Sequence, residues 1–322
     1  MMKAVERQPK AAVLGAPTFW GHLVDSERLL APLMIAPAIL YIVALIGFPF
    51  LMAIYYSLSD ATIGNLSLNF VGLRNFIAVI EDPIFRQSLK NTIIFTLISQ
   101  VLVLVLAKIL ALALLKDFRG KWLARFLILL PWTAPIALGT IGWMWMLDSI
   151  FSPIDWMLRQ VGLLGAPGAI LGTASNLYWL GIPSLAMTSV ILVHTWRMLP
   201  LATVILMAGL TAIPQEILDA VEVDGAGFWR SLFQITIPML IPIISIAALF
   251  GVIFTFTDMV VVYVLTQGGP VHSTQVLASW AFIKGIEAGD LAQGAAIALF
   301  LFPLMACMAI IMLRLARRTE VT

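Results

Sequence analysis

Charge is scarce in this chain: 11% of its 322 residues are Asp, Glu, Lys or Arg, against 61% hydrophobic. With a mean hydropathy of +1.01, most of the sequence cannot offer water a polar exterior, which identifies an integral membrane protein. The formal charge of +2 is small and the basic residues sit at helix ends, so a nucleic-acid partner is excluded. Cysteine is rarer still. Cys307 stands alone inside an apolar run, which rules out an intrachain disulfide or a cysteine metal cluster and leaves its thiol a packing role. His22, His194 and His272 lack any metal-binding spacing. There is no Gly-rich phosphate loop before Lys-Ser/Thr and no nucleophile arrangement, so neither a catalytic residue nor a metal site is expected. No early apolar segment with a small-residue cleavage site occurs, so a cleaved signal peptide is not expected.

What the chain has is long apolar runs. An all-α polytopic membrane domain of six transmembrane helices is read over 29–313, with spans at 29–54, 92–115, 126–147, 184–210, 239–265 and 294–313. A polar segment, 1–28, precedes it and a short tail, 314–322, follows. Trp132, Trp143 and Trp145 in the third span read as interface markers. Residues 148–183, broken by Pro153, Pro167, Pro183 and many glycines, read as short helices along the membrane surface. Counting Lys and Arg on alternate sides gives twelve against five. By the positive-inside rule both termini are then cytoplasmic.

The loop 211–238 stands out, with Glu216, Asp219, Glu222 and Asp224 set against Arg230 alone. Pro214 suits the first turn of a helix whose positive end favours carboxylates, with Ile213, Ile217, Ala220 and Val221 on one face. Gly225 then bends the chain into a second helix through Phe228, Trp229, Leu232, Phe233 and Ile235 that ends by Ile237, before Pro238. An acidic, amphipathic loop on the cytoplasmic side suits docking of another protein. The alternative is a helix pair resting on the bilayer, which anionic lipid disfavours.

At Asp219-Ala220-Val221, Gly225 and Ile235-Thr236-Ile237-Pro238, with the triplet Asp224-Gly225-Ala226, the chain resembles permease subunits of ABC importers, whose coupling loop carries a Glu-Ala-Ala motif, a following Gly and Ile-x-Leu-Pro. Asp219, Val221 and Ile237 replace Glu, Ala and Leu of that pattern. Leu265-Thr-Gln-Gly-Gly-Pro270 with Ser273-Thr274, and Phe70-Val-Gly-Leu-Arg-Asn-Phe76 with Asn91-Thr92, are similar to the maltose-type members. The resemblance implies the type I importer bundle and a second, homologous permease subunit. It also implies two ATPase subunits (or an ATPase homodimer) that bind ATP and Mg, an extracytoplasmic solute-binding protein, and the bacterial inner membrane. ATP hydrolysis would belong to the partner, and Glu216 joins the motif residues as ATPase-coupling.

Charges inside apolar spans face partners or a cavity, and three occur: Lys108, Arg197 and Asp258. Gly251, Phe254, Thr255 and Asp258 fall at i, i+3, i+4 and i+7 on one face of span five; Trp196, Arg197, Met198 and Leu201 lie near the same depth in span four. An aromatic ring, a hydroxyl and a carboxylate suit a sugar, and the family's lining positions, by resemblance, fall on these residues. The competing reading is a structural ion pair of Arg197 with Asp258, joined by Lys108. A cavity-facing Arg197 also suits an anionic solute such as glycerol phosphate or a sugar acid. His194 reads as packing or as a proton relay, and an ion-coupled secondary transporter is the alternative class.

Overall fold

The computed structural model describes residues 27–65 and 68–319, and among them every regular element is helical, apart from two isolated β-bridges, Ser59 with Phe70 and Thr62 with Asn65. The chain divides into two compact units, residues 1–52 and 53–322. The described part of the first is α1 (Glu27–Ile42), a widened π turn (Val43–Gly47) and the start of α2 (Phe48–Ser57). Leu33, Leu40, Ile46 and Leu51 along it are exposed, as lipid-facing side chains are.

The second unit is built on α4 (Pro83–Leu115), which follows the short α3 (Arg74–Glu81). Asp82 caps α4, its carboxylate accepting from the Ile84 amide at 2.8 Å, and Pro83 occupies the first turn. At the far end Arg125 and Lys121 donate to the carbonyls of Leu114 and Leu115 at 3.0 and 3.1 Å, where the helix dipole favours cations. At 33 residues α4 is about 50 Å long and overshoots the hydrocarbon. One face packs along α8 (Pro183–Thr211), where Ala107 and Ala111 let Met198, Ala202 and Leu206 approach closely.

The third apolar run is not one continuous helix over 126–147. It forms α5 (Lys121–Thr133) and α6 (Ile136–Met146), bent by 100°. Pro135 drives Ala134 out of the helical region, to φ −70° and ψ 142°. Five described helices are long and apolar enough to span, or six if the bent pair counts as one. Trp132 and Trp143 pack inwards here, against Phe254 and Trp196, and Trp145 alone of the three expected interface markers is exposed. Cys307, expected in the packing, is exposed on the last helix, α14 (Leu291–Thr319).

The fifth run also departs from expectation. Its helix starts at Phe228, as α10 (Phe228–Ser231), a π turn (Leu232–Thr236) and α11 (Ile237–Phe256), and it stops nine residues short of Leu265. Pro238 does not end it. The Ile237 amide bonds back five residues to Leu232, and this wider turn makes room for a ring that would otherwise strike the carbonyl one turn earlier. The same arrangement precedes Pro49, with Phe48 bonded to Val43. After a break at 257–259 the chain resumes as α12 (Val260–Thr266), then α13 (Leu277–Phe282).

Two family-like motifs far apart in sequence meet as one unit. Asn91 donates to the carbonyls of His272 and Gln275 at 3.1 and 2.9 Å, and the Leu277 amide donates to the Thr92 hydroxyl at 2.9 Å. Within the turn, Thr274 donates to the Gly269 carbonyl at 2.8 Å.

Residues 148–183 hold one helix, α7 (Pro153–Gln160), and turns rather than several surface helices. Fully buried Asp155 organises them, accepting from the Leu177 amide at 3.0 Å and the Trp179 indole at 2.9 Å. Its replacement strands both donors. Asp155→Ala should therefore cost about 3 kcal/mol, read as a lower unfolding temperature in detergent with new proteolytic cleavage between residues 161 and 182.

Candidate translocation site

The break after α11 is where the buried charge collects. Asp258 is 5% exposed, and its carboxylate lies 2.6 Å from His194 Nδ1 and 3.3 Å from a terminal guanidinium nitrogen of Arg197, both on α8. Its other oxygen accepts from the Val261 amide at 3.1 Å, which caps α12. One side chain thus ties α8 to the break and starts the next helix. The bonding extends through the imidazole: His194 Nε2 is 2.9 Å from the Thr255 hydroxyl, which lies 2.6 Å from the Gly251 carbonyl. Thr255 has one proton to place. Donated to Gly251, it leaves the oxygen to accept from Nε2–H, and the ring carries both protons; turned to Nε2, it serves a neutral ring donating to Asp258.

Arg197 and Asp258 of this network line a cavity of about 510 Å3, together with Phe254, Thr257, Met259, Ile136 and a largely apolar remainder, while His194 and Thr255 stay buried. Arg197 is partly exposed to it, the guanidinium carbon 6.0 Å from the centroid of Trp132. Trp132 meets Phe254 edge to face at 5.5 Å. The 100° bend at Ala134 and Pro135 brings Trp132 from α5 and Ile136 from α6 to this one region. An aromatic face, a hydroxyl and a partly neutralised cation then converge on one space, the chemistry of a polar, uncharged solute.

Of the eight residues read from sequence as a pathway, Arg197, Phe254 and Asp258 line the cavity. The other five lie in the packing. Gly251 faces α4, where a side chain would overlap the Gln100 carboxamide. Thr255 is buried within the hydrogen-bond chain. Met198 is buried, with Leu201 beside it, against Val103, Ala107 and Ala111. Trp196 packs on Trp143 at 5.6 Å. Arg197 and Asp258 do pair, but Lys108 does not join them; it lines a different cavity, its ammonium buried. Thr257 and Met259 were missed. Thr257 lies at i+3 from Phe254, a relation lost by fixing the face at Asp258 rather than continuing it through the break.

The acidic loop forms a second candidate surface. α9 (Gln215–Val223) begins just after Pro214, which precedes the helix instead of occupying its first turn. Its outward side carries Glu216, Asp219, Ala220 and Val223 at i, i+3, i+4 and i+7, while Val221 is buried. Ala220, expected on the inner face with Val221, is on the outer one. The helix ends in a Schellman motif: the Ala226 amide donates to the Val221 carbonyl at 3.2 Å and Gly225 to Glu222 at 3.0 Å, with Gly225 at φ +68°. A Cβ at Gly225 would meet nothing within 4 Å, so within this chain the position needs the left-handed conformation rather than space. Asp224 is exposed beside it, Ile235 is half-buried in the π turn, and Pro238 is exposed beyond.

A family model described as binding-protein-dependent transport system inner membrane component matches residues 103–321. The chain is 30% identical to the sulfoquinovosyl glycerol transport system permease of Agrobacterium fabrum over 94% of its length and 95% of that protein's. It is 30% identical to the trehalose/maltose transport system permease of Thermococcus litoralis, covering 90% and 95%. The sn-glycerol-3-phosphate transport system permease of A. fabrum is 29% identical over 85% and 90%. A chain of a bacterial ABC transporter that imports the acidic polysaccharide alginate superposes with a TM-score of 0.73 at 16% identity, over 90% of this chain and 95% of that one.

The ion pair makes a measurable claim of its own. Asp258→Asn leaves Arg197 unpaired and Arg197→Gln removes a partner from Asp258. In a double-mutant cycle of thermal unfolding, the pair should couple by about 1 to 3 kcal/mol, the double variant being more stable than additivity allows. Strict additivity would show the contact to be energetically idle.

Proposed function

Because the chain belongs to the family of binding-protein-dependent transport system inner membrane components, we propose that it is the membrane-spanning permease subunit of an ATP-driven importer that translocates a sugar, an oligosaccharide or a related polyol, handed over by a solute-binding protein. The observation that carries the sugar reading is the shared carboxylate: Asp258 already bonds Arg197, so the cavity offers an aromatic wall and polar groups with its cation largely spent. The trehalose/maltose relative supports the same reading. The chain is a multi-pass protein of the inner membrane, with both termini assigned to the cytoplasm by its Lys and Arg count. Family membership removes the ground for an ion-coupled secondary transporter.

The expected partners are a second, homologous permease, two ATPase subunits or an ATPase homodimer that bind ATP and Mg, and the solute-binding protein. The ATPase contact is assigned to Glu216, Asp219, Ala220, Val221, Asp224, Gly225, Ala226, Ile235 and Pro238. Of these, Glu216, Asp219 and Ala220 form the outward, acidic face, suited to a basic groove.

The mechanism follows from continuity. α10, the π turn and α11 form one helical rod from Phe228 to Phe256, about 43 Å long. Its lower end adjoins the loop that the ATPase would move, and its upper end carries Phe254 and the break at Asp258. Displacement of the loop is delivered along the rod to the cavity wall, where it shifts Phe254 relative to Arg197 on α8. A second reading, an anionic solute, is favoured by the partial exposure of Arg197 to the cavity and by the glycerol-3-phosphate relative. It predicts that Arg197→Gln abolishes uptake of the solute while membrane insertion persists.

Uptake into vesicles holding the assembled importer tests the main reading. Vanadate should abolish it and an ionophore should not. Phe254→Ala should lower sugar uptake by about tenfold, the loss of one aromatic stacking face, without reducing insertion; unchanged uptake removes the cavity from the pathway.

Two substitutions at Gly225 separate bending from docking. Asn tolerates a positive φ, whereas Val is strained there by about 1 to 2 kcal/mol. Gly225→Val should uncouple ATP hydrolysis from uptake. Gly225→Asn, with the turn intact, should keep ATPase recruitment if only the bend matters, and should lose it if the partner's backbone lies against this glycine.

A further inference from the structure

We propose that the groove beside Lys108 is a binding site for an anionic phospholipid, distinct from the solute cavity. A cavity of about 390 Å3 lies between α4, α8 and the Phe228–Phe256 rod. Every residue lining it is apolar except Lys108. The Lys108 ammonium is buried and has no hydrogen-bond partner among the described residues. A cation enclosed by hydrocarbon without a counter-charge is costly, and such groups normally face a partner. The missing component is therefore an anion that arrives attached to something apolar.

Position favours lipid as its carrier. Lys108 lies seven residues before the end of α4, about 10 Å inside the basic turn, so a change of rotamer that swings the buried ammonium toward the surface lets it meet a headgroup there. The rim is aromatic and open: Phe228, Trp229 and Phe233 are 64%, 68% and 59% exposed, with Trp229 and Phe233 stacked at 6.0 Å. Exposed tryptophan beside apolar surface is the signature of the headgroup boundary. A transmembrane helix filling the groove would have to carry its own carboxylate into the hydrocarbon, whereas a phospholipid supplies the phosphate at the interface and the acyl chain for the groove. Because the groove is walled by the rod, an occupant there would touch the element to which the transmission role is assigned.

The test is lipid retention by the full chain, and by the assembled importer, taken from phosphatidylcholine nanodiscs doped with phosphatidylglycerol and weighed by native mass spectrometry. One phosphatidylglycerol should stay bound. Lys108→Met should lower retention by roughly fivefold or more, and Lys108→Arg should preserve it. Leu104→Trp keeps the charge but fills the groove, so it should also expel the lipid; this second variant decides the matter if Lys108→Met fails to fold. Equal retention by Lys108→Met or by Leu104→Trp overturns the proposal. So does competition by free glycerophosphate as effective as by the intact lipid, which would reduce the site to a phosphate contact. Loss of the lipid when the importer assembles would give the groove to a protein helix instead, and overturns it as well.

Discussion

A carboxylate held in the apolar middle of a helical bundle has to be answered from several directions, and the geometry around Asp258 is organised by that demand. Desolvating the charge costs several kcal/mol, and the repayment comes from His194, Arg197 and the Val261 amide together. Those three partners belong to α8 and α12, so meeting the demand fixes where the chain breaks and which helix face looks into the cavity. Phe254, braced edge to face by Trp132, then lines the space, and Ile136 joins it from the far side of the bend at Pro135.

Proline plays two opposite parts. Pro135 breaks a helix because Ala134 is released to an extended conformation beside the cavity. Pro238 and Pro49 break nothing, because a π turn immediately upstream shifts the local hydrogen bonds to five-residue spacing. The ring is the same in each case. What differs at these three is whether the preceding turn widens or opens; Pro131, Pro200 and Pro242 lie inside helices that do neither.

This explains what could be read from the letters. Apolar runs of spanning length reveal helices whatever packs on them, so the all-helical membrane class and most spans were legible. The loop motif and its Gly225 were legible too, since a Schellman end leaves a local signature. The rule that a helix stops before proline failed at Ile237, because a π turn is chosen by tertiary context and leaves no composition mark. The inward placement of Trp132 and Trp143 was hidden for a similar reason: tryptophan serves an interface and a bundle interior equally well. Within the candidate site, the charges Arg197 and Asp258 were visible as anomalies in apolar runs. Trp196, Met198 and Leu201 were assigned by depth alone, and depth does not say which way a side chain turns; Gly251 was placed by its helical face, and a face does not say which neighbouring helix covers it. Asp155 lay in a loop rich in glycine and proline, where a carboxylate is ordinary until its two donors are seen.

The rod from Phe228 to Phe256 has a consequence for timing. Continuous helix ties its ends to one motion except where its own hydrogen bonding is weakened, and in this rod the weakened places lie in the half nearest the loop: the π turn over Leu232–Thr236, Pro238 and Pro242. From Ile243 to Phe256 neither a proline nor a π turn interrupts it, so the cavity wall and the helix leading to it share a single clock. A lag between the loop's motion and solute release would therefore arise in the turns beside the loop, not beside the cavity.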